Sequence, residues 1–338
     1  MGILYTNPDG YRKSPYFDNH PYAVDLADAG QGNWRAFRAV GYDLNQVFEA
    51  AREWRAELSD IKRPWLCWHV DNDWSLVQQK LVESIGWTPV VGFDPRVGPP
   101  KKVTAGAVLV DFNRNLGLPI LYPHFVLEFA FLFCEKISFW HSDLLLREEK
   151  LRAMAEMFEG LDDGYTCAIK PRRGVRSKLL RREARYWELI GCTTRSASAD
   201  QFNKGCGWWM DFWAHPNQKA PRYAKMDFYW DHGGGILFWE KVFKGKCLIK
   251  HEKEFMEGHF TKIGNPTYKG FREAGAQSDA RRSMGAEIKH NFDLGEACRS
   301  LGLEHFVEPE SVSEELRPST GVEIREPALD LSRPSVLL

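Results

Sequence analysis

The chain has 338 residues, and its 45 Lys and Arg offset 46 Asp and Glu to give a formal net charge of −1. Hydrophobic residues make up 43% of the chain and charged residues 27%. This composition excludes a wholly disordered protein, and the near-zero charge argues against binding nucleic acid over the whole surface.

The sequence gives no sign of membrane insertion or export. Its most apolar stretch, residues 116–134, is interrupted by Gly117, Pro119, Pro123 and Glu128, which a spanning helix would not tolerate. The N-terminal residues lack a basic flank followed by a long apolar region, so they predict no secretory signal. Seven Cys without a CxxC pair indicate reduced thiols. We therefore expect a cytoplasmic protein with no transmembrane segment and no nucleic-acid partner.

The first half of the chain predicts alternating helices and strands, because apolar runs of strand length alternate with apolar residues at helical spacing. In chain order, helices are predicted over Asp43–Ser59, Trp74–Ile85, Pro123–Phe133 and Leu145–Glu159, and strands over Pro64–Val70, Thr88–Phe93, Ala105–Phe112, Lys136–Trp140 and Tyr165–Ile169. Asp71-Asn72-Asp73 is a capping cluster before the second helix. We expect an α/β fold with a mostly parallel central sheet flanked by helices.

Two residues that suit metal binding follow one of these strands. His141-Ser142-Asp143 come directly after Lys136–Trp140, and ligands of open parallel sheets bind beyond the carboxyl ends of the strands. Residues two apart on an extended chain point the same way, so His141 and Asp143 could share a divalent cation. The alternative is that Asp143 caps the following helix. The sequence leaves both roles open.

With this motif, residues 64–170 resemble glycosyltransferases of the A-type nucleotide-sugar fold. In that family a strand ends in an Asp-x-Asp motif that holds a metal against the diphosphate of the sugar nucleotide, and a helix and a further strand follow. The resemblance implies a nucleotide-sugar donor and a sugar-containing or other hydroxyl acceptor. Here His141 replaces the first Asp, and imidazole suits Mn²⁺ better than Mg²⁺, so we expect manganese.

The resemblance implies further roles in the second half of the chain. A-type transferases often bring a late His to the same metal, followed by a Gly and a Lys that approach the diphosphate. His259, Gly264 and either Lys262 or Lys269 could fill those roles. The alternative for His259 is a surface histidine beside a turn. Three consecutive glycines at residues 233–235 follow Asp231-His232, candidate substrate contacts. These glycines permit close approach to a ligand or form a tight hairpin leading into a strand-like ILFWEKVF.

The thirteen Trp fall into two groups. Trp34, Trp54, Trp65, Trp68, Trp74 and Trp87 lie in the N-terminal segment and on early helices and strands, where packing explains them. The later group includes Trp208, Trp209 and Trp213, and an aromatic platform of this kind suits sugar rings. GCGWWMD is similar to the Gly-Trp-rich acceptor loop of some A-type transferases, which makes Asp211 the candidate general base and Glu188 its reserve. The alternative is that these tryptophans are core residues.

Together these patterns predict four segments: residues 1–60 as an N-terminal extension and helix, 61–170 as a nucleotide-sugar-binding half, 171–307 as an acceptor and catalytic half with a Trp-rich lobe, and 308–338 as a loosely ordered tail. The expected activity is metal-dependent glycosyl transfer. Two alternatives stay open. One is a metal-dependent hydrolase that uses His141, Asp143, His232 and His259, and the other is a non-catalytic carbohydrate-binding protein.

Overall fold

A computed structural model describes residues 44–95, 97–117, 121, 123–171, 186–203, 207–208, 233–260 and 293–307. The helices are α1 (Leu44–Leu58), α2 (Asn72–Ser84), α3 (Pro123–Phe133), α4 (Glu148–Glu159), α5 (Arg195–Asn203), α6 (Gly234–Phe243) and α7 (Leu294–Leu301). The strands are β1 (Pro64–His69), β2 (Thr88–Phe93), β3 (Val108–Leu109), β4 (Lys136–Trp140), β5 (Tyr165–Lys170), β6 (Trp187–Thr194) and β7 (Lys246–His251).

The described strands form one seven-stranded sheet in the order β3-β2-β1-β4-β6-β5-β7. β1, β2, β3 and β4 pair in parallel, as do β5 and β7. β6 pairs antiparallel with both β4 and β5. The α/β architecture is therefore confirmed, and the expected mostly parallel sheet is a mixed one. The sheet takes strands from both sides of residue 170, where the sequence predicted a boundary between two halves.

Helices cover both faces of the sheet, and alternate strand residues point to opposite faces. One core packs α1, α3, α5 and α6 against Leu66, Trp68 and Phe139. The other packs α2, α4 and α7 against residues of the same strands that face the opposite way, Trp65, Cys67 and Trp140. The carboxyl ends of β1 and β4 meet at one edge between these two cores.

The early tryptophans that the structure describes are packing residues, as the sequence predicted. All of them are at most 7% exposed: Trp54, Trp65, Trp68, Trp74 and Trp87. Trp65 makes edge-to-face contacts with Trp87 at 5.3 Å and Trp140 at 5.4 Å between ring centroids. Trp34 lies outside the described residues.

Most elements predicted in the first half are confirmed, including the bounds of β2, α3 and β4. The predicted cap is confirmed too, because the Asp71 carboxylate accepts hydrogen bonds from the backbone N–H groups of Asp73 and Trp74 at the start of α2. The strand predicted over Ala105–Phe112 is reduced to the two residues of β3. None of the helices described has both the length and the apolar composition needed to cross a lipid bilayer.

In the second half one prediction is wrong and two strands were not predicted. The ILFWEKVF run is not a strand after a hairpin but belongs to α6, which begins after Gly233 at a φ of 89°. Its buried residues Ile236, Leu237 and Trp239 face one core, and a short apolar run does not distinguish a buried helix from a buried strand. The central strand β6 was not predicted, and neither was β7. The predicted tail, residues 308–338, lies outside the described residues.

Candidate functional site

The site begins where β4 ends. The His141 N–H donates to the Leu189 carbonyl at 2.9 Å, which extends the antiparallel pairing of β4 and β6 by one residue. The chain then turns, and the Leu144 N–H donates to the His141 carbonyl at 3.2 Å. This turn brings the side chains of His141 and Asp143 to the carboxyl end of β4, where the sequence predicted a ligand site.

A buried glutamine on α2 holds this turn in place. Gln78 is 1% exposed, and its Nε2 donates to the carbonyl oxygens of His141 at 2.8 Å and Leu144 at 2.9 Å. A side-chain amide carries two N–H donors, so a single Gln78 satisfies two buried acceptors. Nothing in the sequence pattern marked this residue, because its role depends on a contact between elements that are distant in the chain.

A second short segment, residues 258–260, pairs with the turn. The Leu145 N–H donates to the Gly258 carbonyl at 2.9 Å, and the Phe260 N–H donates to the Asp143 carbonyl at 3.2 Å. Leu144 and His259 thereby form an antiparallel bridge. The Phe260 ring packs edge-to-face on Trp74 of α2, with 5.5 Å between centroids. Backbone pairing therefore brings His259 to the end of β4.

The three predicted metal ligands converge. Asp143 Oδ1 lies 3.3 Å from His259 Nε2 and 3.6 Å from His141 Nδ1. One ligand atom of each residue lies within 4.8 Å of the others, so the three could hold one metal ion. Two imidazole nitrogens and one carboxylate oxygen suit Mn²⁺, Fe²⁺ or Zn²⁺ better than Mg²⁺ or Ca²⁺. The donor set thus fits a transition metal.

Two alternatives from the sequence are excluded by this geometry. Asp143 does not cap the following helix, because α4 begins at Glu148 after Arg147, and three buried leucines, residues 144–146, separate Asp143 from that cap. His259 is not a surface residue, since it is 2% exposed. The helix predicted from Leu145 therefore starts three residues late because Leu144 and Leu145 pair with residues 258–259 instead.

Glu188, the reserve base candidate, lies on the other side of the His141 ring. Its Oε1 is 3.2 Å from His141 Nε2, and its side chain is 14% exposed. The His141 ring therefore stands between two carboxylates, with one nitrogen facing each. Both His141 and Glu188 were candidate site residues from the sequence, but their contact was not predicted.

A cavity of about 200 Å³ opens beside these groups. His141, Ser142, Asp143 and Glu188 form its polar side. Its remaining wall is apolar and comes from β1, α3 and β4: Leu66, Trp68, Leu127, Phe139 and Trp140. Two of the three candidate metal ligands, His141 and Asp143, therefore border a space that a small group of a substrate can enter.

Of the substrate-binding and base candidates predicted after residue 200, the structure describes only Trp208. Trp208 is 2% exposed and packs edge-to-face on Phe139 at 5.2 Å, which is the core placement that the sequence held open. It lies behind the cavity wall rather than in the cavity. The other candidates lie outside the described residues: Trp209, Asp211, Trp213, Asp231, His232 and Lys262.

The chain was compared with models of known protein families, with curated proteins and with solved structures, and nothing matches. The function has to be inferred from the side chains that converge at the end of β4.

Proposed function

We propose that the protein is a metal-dependent glycosyltransferase that moves a sugar from a nucleotide-sugar donor to a hydroxyl acceptor. The observation that carries the proposal is the approach of His259 Nε2 to within 3.3 Å of Asp143 Oδ1. A-type transferases are similar in two respects, a strand-terminal acidic motif and a late His on the same metal. His141, Asp143 and His259 would hold Mn²⁺ in preference to Mg²⁺.

Each residue of the site has a defined part in this reaction. A divalent cation held by His141, Asp143 and His259 would supply positive charge to the diphosphate that leaves the sugar. The acceptor hydroxyl must lose its proton as it attacks the anomeric carbon, and Asp211 is the proposed base, with Glu188 in reserve. Trp68 and Phe139 give the cavity an apolar wall beside these groups.

One observation favours a second candidate, a metal-dependent hydrolase. Two His and one carboxylate are also the ligand set of catalytic zinc sites, in which the fourth position holds water. A hydrolase would use His232 as a further ligand, and that residue lies outside the described residues. The two candidates differ in what they bind, because only the transferase needs a nucleoside diphosphate.

The test is a calorimetric titration with UDP and with GDP, each in the presence and absence of Mn²⁺. We expect binding that requires Mn²⁺ in the wild type and in Asp162→Ala, a matched change of an exposed aspartate in the turn before β5. Asp143→Ala should weaken that binding at least about tenfold, since a metal ligand is lost. Equal binding without metal, or by Asp143→Ala, would refute the proposal. Metal binding without any nucleotide binding would favour the hydrolase.

A further inference from the structure

Glu188 occupies a position that a general base in reserve does not explain. Its Oε1 lies 3.2 Å from His141 Nε2, while His141 Nδ1 lies 3.6 Å from Asp143 Oδ1 on the opposite side of the ring. The backbone fixes this arrangement, because the His141 N–H donates to the carbonyl of Leu189, the residue next to Glu188. β6 lies between β4 and β5, so the carboxylate is carried by a strand paired on both edges.

An ionised carboxylate can only accept a hydrogen bond, so the nitrogen facing Glu188 must carry the proton. In a neutral imidazole this leaves the lone pair on Nδ1, directed at Asp143. His141 Nδ1 and Asp143 Oδ1 face each other at 3.6 Å, a separation at which both atoms could bind one metal ion. His259 Nε2 faces the same Asp143 oxygen, which adds a third donor at this point.

We infer that Glu188 is a positioning residue that fixes His141 as the Nε2–H tautomer and thereby directs Nδ1 to the metal. Ligating histidines commonly donate their other N–H to a carboxylate in this way, and losing that partner costs about 10–100-fold in metal affinity. The inference rests on the metal site of the proposed function.

The first measurement is the Mn²⁺ affinity of the full chain without any nucleotide. Electron paramagnetic resonance gives the concentration of free Mn²⁺ at each step of the titration. We expect Glu188→Ala to raise the Kd about 10–100-fold and Glu188→Gln by less, because an amide oxygen can still accept from Nε2–H. Glu156→Ala, an exposed change on α4, is the control and should leave the Kd unchanged.

The second measurement separates positioning from a general loss of structure. Proton–nitrogen correlation spectra of the metal-free protein report which ring nitrogen of His141 is protonated. We expect Nε2–H in the wild type and in Glu188→Gln, and loss of that single tautomer in Glu188→Ala at an unchanged melting temperature. A wild-type Mn²⁺ affinity in Glu188→Ala, or an Nδ1–H tautomer in the wild type, would overturn the inference.

The outcomes also distinguish this inference from the proposed function. If the wild type binds Mn²⁺ and Glu188→Ala does not, but no nucleoside diphosphate binds, Glu188 is a positioning residue and the transferase proposal fails. If the wild type binds no Mn²⁺, the metal site and the role of Glu188 toward it are both refuted.

Discussion

The Leu145 N–H donates to the Gly258 carbonyl at 2.9 Å, and no side chain fits at position 258. A Cβ built on Gly258 would lie 1.7 Å from the Leu145 carbonyl oxygen. The two backbones can approach this closely only because residue 258 is glycine. The next residue is His259, so this contact sets the distance between its ring and the Asp143 carboxylate.

Gly258→Ala should therefore weaken metal binding without removing a ligand. The added Cβ forces residues 258–260 away from the turn after β4, which lengthens the 3.3 Å contact between His259 and Asp143. We expect a Mn²⁺ Kd raised at least about tenfold and a loss of about 1–3 kcal/mol in the free energy of unfolding.

The matched control for that change is Gly160→Ala. A Cβ at Gly160 meets its nearest neighbours at 3.6 and 3.7 Å, which is ordinary contact, and the residue has a φ of −75°. The Mn²⁺ affinity of Gly160→Ala should equal that of the wild type. Unchanged Mn²⁺ affinity in Gly258→Ala would show that His259 is not placed by this contact.

Gln78→Leu should lower both stability and metal affinity, because it leaves the carbonyls of His141 and Leu144 without this donor. We expect a loss of about 2–4 kcal/mol in the free energy of unfolding and a several-fold rise in the Mn²⁺ Kd. Gln78→Glu, of nearly the same shape, should also lose stability, because an ionised carboxylate cannot donate and a protonated one has a single O–H where the amide has two N–H groups.

Gln79→Leu is the control, since Gln79 is equally buried on the same helix but bonds to Ser75 and Thr104. It should lower the melting temperature and leave the Mn²⁺ Kd as it is. An equal effect of the two substitutions on the Kd would mean that Gln78 acts through overall stability alone.

The buried thiols should make stability fall at alkaline pH. Burial raises the pKa of Cys67 and of Cys192 from 9.0 to about 12. The unfolded chain therefore releases these protons first, so the stabilisation is complete below about pH 9 and is lost as the pH rises toward 12. Denaturant unfolding of the wild type and of Cys67→Ala at several pH values isolates the contribution of the Cys67 thiol to this loss of stability.

Between pH 9 and 11 the wild type should lose more stability than Cys67→Ala, by up to about 1.4 kcal/mol per pH unit. Cys67 should also resist a thiol reagent at pH 8 until denaturant is added. Parallel stability curves for the two proteins, or rapid modification of Cys67 in the folded protein, would contradict the burial of this thiol.

Asp71→Ala should destabilise α2 by about 1 kcal/mol, because the carboxylate accepts from two N–H groups at the helix start. Asp73→Ala removes an exposed acidic residue of the same first turn and no side-chain cap, so a smaller loss is expected. Denaturant midpoints of the two variants measure the difference, and a larger loss in Asp73→Ala would exclude Asp71 as the cap.

Local patterns explain what could be predicted from the sequence. The bounds of β2, α3 and β4, the Asp71 cap and the position of His141 and Asp143 after a strand all follow from neighbouring residues. The helix α6 was mistaken for a strand because its apolar run is too short to show a period. β6 was missed because Glu188 and Gly191 interrupt its apolar run and two threonines end it, and pairing on both edges decides its structure.

The amino-acid sequence by itself determined the class of the fold and the residue types that suit a metal at the end of β4. Only the tertiary structure decided that His259 reaches Asp143 and that Glu188 touches His141. It also decided that Gln78 holds the turn after β4. Each of these contacts joins elements far apart in the chain. Their distances depend on strand pairing, on a glycine without a side chain and on buried hydrogen bonds, and no local sequence pattern encodes such distances.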